Sequence, residues 1–424
     1  MMRKFLCIIS FSLSVVGLSY GQGGGLIKDE NSNILGQVNT ITTAVPFLMI
    51  SPDSRAGAMG DAGVATTPDA NSAHWNASKF VSVEKDAGVS ISYVPWLRKL
   101  VNDINLAYLS GYRKIKNDQV FCASLRYFSL GDITFTDING ETLGQFNPNE
   151  FAIDLSYARP LSEKLSGSVS LRYIYSNLTG GQYVMGSASH PGNAVAADLG
   201  FYYQDDVVIS DRDALLAFGL NITNMGNKIS YTENADKDFI PTNLRLGGAL
   251  SMEIDDYNSF MVTADVNKLL VPTMPVYYDA DEVTPDGDTI SAGEQVIKFG
   301  MNPEVSLPVG MVQSFYDAPG VQLDPEDEYN RSVFKEEMRE INISAGLEYW
   351  YANQFAIRAG YFHEHATKGN RQYFTVGMGL RLNVFGLDFS YLIPTKQRNP
   401  LENTLRFTLV FDFEGLRSEA EMPN

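Results

Sequence analysis

Little in this chain can form covalent cross-links or hold a metal. Among 424 residues there are two cysteines, four histidines and three tryptophans. Cys7 falls in a segment expected to be removed, which leaves Cys122 as a single thiol and no disulfide. Basic residues are also scarce: 32 Lys and Arg stand against 50 Asp and Glu, a net charge of −18. A nucleic-acid binder needs a basic face, so that class is excluded. Past residue 21 no apolar run approaches the roughly 18 residues of a spanning helix. The mean hydropathy of −0.12 likewise excludes a bundle of membrane helices.

What the chain does have is glycine (36), phenylalanine (24) and tyrosine (22), with charged residues at only 19%. That is the composition of β structure. The length admits two or three ordinary domains or one large barrel. Arg3 and Lys4 precede the apolar stretch 5–18, and Ser19-Tyr20-Gly21 then meets Gln22. This reads as a secretory signal peptide over 1–21. Its removal takes two bases and moves the charge from −18 to −20. No cysteine stands at a lipoprotein position, so no lipid anchor is expected.

From about residue 88 apolar and polar residues alternate. Phe121, Ala123, Leu125 and Tyr127 share one face, and Cys122, Ser124 and Arg126 share the other. Near the end Leu405, Phe407, Leu409, Phe411 and Phe413 face away from Arg406, Thr408 and Asp412. Side chains alternate across a strand, so each such segment has one apolar and one polar face. About fourteen segments behave this way: 88–95, 104–112, 119–128, 150–158, 165–176, 194–203, 214–223, 243–252, 259–267, 341–349, 354–362, 372–381, 384–392 and 404–413. Most approach the roughly 9–11 residues with which a tilted strand crosses a bilayer. Even-numbered connections are short, and the odd ones include 129–149, 177–193, 224–242 and 268–340. Short turns on one rim and long loops on the other predict an all-β fold. The expectation is a 14-stranded antiparallel transmembrane β-barrel of a Gram-negative outer membrane, spanning 88–413, with its apolar faces against membrane lipid.

The polar faces then point into the lumen. They bring Arg126, Arg172, Arg245, Arg358, Arg381 and Arg406 together with Asp154, Asp198, Asp265, Glu348, Asp388 and Asp412. Equal numbers of each sign predict a lumen charge network of ion pairs, because isolated charges there are costly. A mixed-charge selectivity filter is the functional alternative. By parity Cys122 also faces inward. An acidic tail, 414–424, follows the last strand.

Residues 22–87 do not alternate. They hold Ala44-Val45-Pro46-Phe47-Leu48 and the glycine-rich run from Asp53 to Ala65, then Asp69-Ala70-Asn71-Ser72-Ala73-His74-Trp75-Asn76-Ala77. The glycines permit tight turns and close packing, which predicts a compact N-terminal plug or rim segment. A phosphate-binding loop is a poor reading of the same cluster, since no Gly-Lys-Ser/Thr follows.

Arg55-Ala56-x-x-Met59-Gly60-x-Ala62-Gly63-Val64-Ala65, with Asp69-Ala70 after it, resembles the N-terminal region of FadL-type outer-membrane barrels. More narrowly the chain is similar to the PorV family of the type IX secretion system of Bacteroidetes. Further stretches carry this: Asp265-Val266-Asn267-Lys268-Leu269-Leu270-Val271-Pro272, Asp317-Ala318-Pro319-Gly320, Arg358-Ala359-Gly360-Tyr361-Phe362-His363-Glu364-His365 and Lys368-Gly369-Asn370-Arg371. The resemblance runs from about 38 to 413. Asn76-Ala77 departs from the usual Asn-Pro-Ala, which leaves the local turn open. The resemblance implies a FadL-like barrel that is not an enzyme and needs no cofactor. It implies a carrier that collects secreted cargo, through a C-terminal signal domain, from the SprA/Sov translocon barrel. Such a carrier passes cargo to a surface attachment complex with a PorU-type sortase, and in gliding members the cargo includes adhesins.

The candidate docking region is 268–340, with 15 acids against 5 bases. Val305, Leu307, Val309, Met311, Phe315 and Tyr316, with Val312 beside them, are expected to bind a partner as apolar anchors in a charged rim. A loop this long is expected to fold as a cap, and a lid without a partner is the rival. Ser332 to Glu340 predicts a short helix with Ser332 as N-cap and Lys335, Glu336, Glu337 and Arg339 solvated. Asp279, Asp281, Asp286 and Asp288 invite a calcium site, but their spacing misses the EF-hand template. His363-Glu364-His365 invites a metal or acyl-hydrolase site of the kind in outer-membrane lipid deacylases, but it misses His-Glu-x-x-His. A channel for hydrophobic small molecules, as in FadL relatives, is the remaining alternative.

Overall fold

The computed structural model describes residues 38–413, apart from 100, 102, 137–140, 182, 185–186, 234–235, 285–288, 292–293 and 397–398. The signal peptide and the acidic tail therefore lie outside the described residues. Fourteen strands form one closed barrel. They are β1 Ala87–Pro95, β2 Ile104–Lys114, β3 Val120–Leu130, β4 Asn149–Pro160, β5 Leu165–Asn177, β6 Gly192–Ile209 and β7 Arg212–Gly226. The second half comprises β8 Asn243–Asp255, β9 Asn258–Leu269, β10 Asn342–Tyr351, β11 Phe355–His363, β12 Gln372–Leu382, β13 Phe385–Pro394 and β14 Leu405–Phe413. Every neighbour is antiparallel, and β1 pairs with β14 (Val89 opposite Phe411) to close the ring. Closure leaves no unpaired edge, which a lipid-facing sheet requires.

Connections on one rim are two to five residues long, and those on the other run from eight to 72. The alternation follows the sequence pattern. On β3, Phe121, Leu125 and Tyr127 are exposed on the outside, while Cys122, Ser124 and Arg126 are buried inside. No helix among the described residues is long and apolar enough to cross a membrane; strands do the crossing here.

Residues 39–86 run through the lumen as short turns of helix, at Pro46–Met49, Ser54–Gly57, Ser72–Trp75 and Ala77–Ser82. Helices of four to six residues do not stand alone in water. Contacts with the barrel wall hold them. The connection 270–341 contains two short helices, Leu307–Gln313 and Val333–Arg339, and a hairpin of Val321–Asp324 with Asp327–Ser332. These are called the cap below.

Candidate functional site

The luminal segment is tied to strands around the whole ring. Ser54 N donates to Thr408 Oγ1 (2.9 Å) on β14 and Gly60 N to Thr375 Oγ1 (2.8 Å) on β12. Gly63 N and Val64 N share Asp265 Oδ2 on β9, at 2.7 and 2.9 Å. Asn76 Nδ2 donates to the Phe201 carbonyl on β6 (2.9 Å). The same Asn76 side chain accepts from Ser78 N, so Asn76 shapes the local turn without a following proline. Asp53 caps the first α-turn at Ala56 N (2.9 Å) and accepts from Trp75 Nε1 (2.6 Å).

These contacts give the Met-Gly motif a physical reason. Gly60 has φ +69°, and a Cβ there would meet the Tyr361 carbonyl oxygen at 2.5 Å. Opposite it, a Cβ on Gly360 would lie 2.1 Å from Gly60 N. Two backbones touch at this point, so both positions require glycine.

The twelve charges assigned to the lumen do not pair simply one to one. Arg172 bridges Asp154 and Asp198, the latter at 2.9 Å. Arg358 bridges Glu348 (2.5 Å) and Asp388 (2.8 Å), and Arg381 joins Asp388 at 2.7 Å. The luminal segment supplies other partners. Arg55 binds Glu348 (2.7 Å), and Asp61 faces Arg406 (3.3 Å). Arg126 donates to the Leu48 carbonyl (2.6 Å) and contacts His74 Nδ1 (2.6 Å). Arg245 stacks on the Trp75 ring, 4.8 Å from its centroid. Asp265 is spent on backbone amides, and Asp412 is half-buried at the end of β14. Sequence did not place Arg55, Asp61, His74 and Lys79 among the lumen charges, because a non-alternating segment carries no facing signal.

The cap is held differently. Lys268, at the end of β9, binds Glu337 (2.9 Å) and Glu340 (2.6 Å). Lys368, between β11 and β12, binds Glu336 (2.7 Å) and Glu340 (2.9 Å). Ser332 does cap the second helix, accepting from Lys335 N. Glu336 and Glu337, expected in solvent, are buried instead. Two lysines distant in sequence face that side of the helix, which no local pattern reveals. Asp317 joins the cluster by accepting from Thr273 N (3.2 Å). Burial, with Glu337 adding its charge, pushes its carboxyl up to about 7. Burial and then Glu340 also raise Glu337. Burial opposes ionisation of Glu340 as well, but Lys368 and Lys268 hold that carboxyl below its usual range.

Above this latch the cap presents apolar side chains to solvent. Val309, Val312, Phe315 and Tyr316 are exposed, while Val305, Leu307 and Met311 are half-buried. The second helix adds Val333, Met338 and Phe334, the last 75% exposed. Phe315 lies beside the latch, with the Lys268 ammonium 5.7 Å from its ring centroid. The second helix was missed as an apolar surface because its charges dominate its sequence. Asp286 and Asp288 of the calcium reading lie outside the described residues. Among the described residues no group of acids, cysteines and histidines is arranged to hold a metal. His363 Nδ1 lies 3.4 Å from the Tyr361 hydroxyl and His365 Nδ1 lies 3.0 Å from the Thr367 hydroxyl.

A closed antiparallel ring with an apolar exterior and a charged, filled lumen defines an outer-membrane β-barrel protein. Within that class, the sequence matches the family described as "Type IX secretion system protein PorV" over residues 33–276, more than half of the chain. The chain belongs to the PorV family. None of the curated proteins matches it. Solved structures similar to it include the toluene transporter TodX of P. putida, at 10% identity, covering 86% of this chain and 99% of that one with a TM-score of 0.46. The Ralstonia pickettii toluene transporter TbuX is 11% identical, with 85% and 98% covered and a TM-score of 0.42. A Pseudomonas aeruginosa FadL homologue is also 11% identical, with 89% and 100% covered and a TM-score of 0.39.

Proposed function

We propose that this barrel is a carrier in type IX secretion rather than an enzyme or a channel. It takes cargo by the C-terminal signal domain at the SprA/Sov-type translocon and passes it to the attachment complex with its PorU-type sortase. The observation that carries this reading is the cap. Exposed apolar side chains from two helices stand in an acidic loop on the rim of long connections, the outer rim of such barrels. Large apolar groups exposed in water mark a docking surface. The packing of residues 39–86 in the lumen supports a carrier over a channel for small hydrophobic molecules.

The test is co-purification in mild detergent, with mass spectrometry of what is retained. Wild type should bring down cargo signal domains and the translocon barrel. Val312→Asp together with Phe315→Asp should lose them while the barrel stays folded. Undiminished cargo recovery with that double variant would sink the docking role, and recovery of small hydrophobic ligands instead of proteins would favour the channel.

A further inference from the structure

The outer wall of the barrel carries a trough near the rim of short turns. Its floor crosses β1, β2 and β3, where three outward positions are small: Ala87, Gly111 and Ala123. Val89, Phe121, Leu155, Tyr157 and Phe413 stand around it, and the hollow measures about 760 Å³. The register ties these positions together, with Gly111 opposite both Val89 and Ala123, and Ala123 opposite Leu155.

The backbone does not demand glycine at 111. Its φ is not left-handed, and a Cβ would meet only Gly88 O and Val89 Cγ2, both at 3.5 Å. The pairing of β1, β2 and β3 runs without a bulge. Glycine inside a regular strand weakens it and, where there is neither bulge nor bend, often marks a place that a ligand or another backbone approaches closely. One end of the trough carries a charge. Arg113, paired with Ala87 and Phe121, faces outward and is exposed, as is Arg159 two strands along. Short turns mark the periplasmic side, so this end sits at the headgroup level of the inner leaflet.

We infer that the trough is a binding site for one phospholipid of the periplasmic leaflet. An acyl chain lies over Gly111 and Ala123, and the phosphate meets the Arg113 guanidinium. The apolar floor excludes a polar ligand, and a guanidinium at the interface pairs with a phosphate oxygen. The site stands apart from the cap and does not depend on the carrier reading.

The full-length barrel, purified in mild detergent and washed through repeated detergent exchange, tests this by native mass spectrometry. Wild type should retain one phospholipid per barrel. Gly111→Leu fills the floor and should lower retention roughly tenfold, while Arg113→Gln should lower it several-fold. Val262→Leu, on the outward face of β9, is the control and should retain lipid as wild type does. Heat-modifiable gel mobility confirms folding, and Ala123→Leu replaces Gly111→Leu should that variant fail to fold. Equal retention by wild type and the filled variants, or none by wild type, would overturn the site. A barrel dimer that Gly111→Leu dissociates, with no lipid attached, would overturn it in favour of a second copy.

Discussion

The luminal segment and the cap are both long stretches without barrel strands, yet they engage the wall in opposite ways. Residues 39–86 place most of their polar groups against the wall, with ties to β3, β6, β9, β10, β12 and β14. The cap's ion pairs to the barrel gather in one buried cluster at Lys268 and Lys368, and it leaves large apolar side chains in solvent. A segment bonded all round shares the fate of the barrel. A segment held at one latch can move or bind without unfolding it. The difference separates the part that builds the molecule from the part available to a partner.

The sharpest way to break the comparison is at the backbone contact. Gly360→Val drives side-chain atoms into Met59 and Gly60, where a Cβ alone already stands at 2.1 Å. The expected cost exceeds about 4 kcal/mol, enough to lose the heat-modifiable folded band. A normally assembled variant would show that residues 39–86 do not pack on β11.

Next come paired tests of the two ion clusters. Glu348→Gln leaves the buried Arg55 and Arg358 without their shared carboxylate. Breaking such a pair costs about 3–5 kcal/mol, read as a lower melting temperature of the whole barrel. Lys268→Met strands Glu337 and leaves Glu340 to Lys368 alone, at a comparable or smaller local cost. Its effect should stay local: protease cleavage within 270–341 at unchanged barrel melting. A matching fall in barrel melting would make cap and wall one cooperative unit.

The two regions also differ in how far sequence alone reveals them. Period-two alternation exposed all fourteen strands and the long–short parity, because each strand face meets a single environment along its length. The N-cap at Ser332 was equally legible, since its partner Lys335 N is three residues on. Gly60 of the motif was visible, but not its reason, which sits about 300 residues away at Gly360. Glu336 and Glu337 were misread for the same cause: the lysines that pair with them come from the end of β9 and from the connection between β11 and β12. What sequence hid was contact between distant segments, and most of the candidate site is made of that.

A smaller effect separates the regions by pH. In the folded cap the Asp317 carboxyl sits up at about 7, against about 3.9 in an unfolded chain. Between those values the folded cap holds a proton that the unfolded cap has released, so cap stability falls as pH rises through that window and levels off above about 7. Glu337, raised as well, acts in the same direction. Protection factors in 270–341, taken relative to the intrinsic exchange rate at each pH, should therefore be lower at pH 8 than at pH 5, and Asp317→Asn should remove much of the difference. A protection factor that is higher at pH 8 in wild type would reverse the sign and exclude Asp317 as the source.

The smallest effect on stability should accompany the largest effect on binding. Phe334 is the most exposed apolar side chain of the cap, and replacing it removes almost no buried surface. Phe334→Asp should change barrel melting and cap protection by less than about 0.5 kcal/mol. Were the cap only a lid, the variant would be silent in every assay. Were it a docking surface, a carboxylate at the centre of an apolar contact would be left desolvated and unpaired, which costs several kcal/mol. Cargo recovery would then fall while folding does not. That split, measured on one protein preparation, distinguishes the two readings of the cap, because no structural role of Phe334 could produce it.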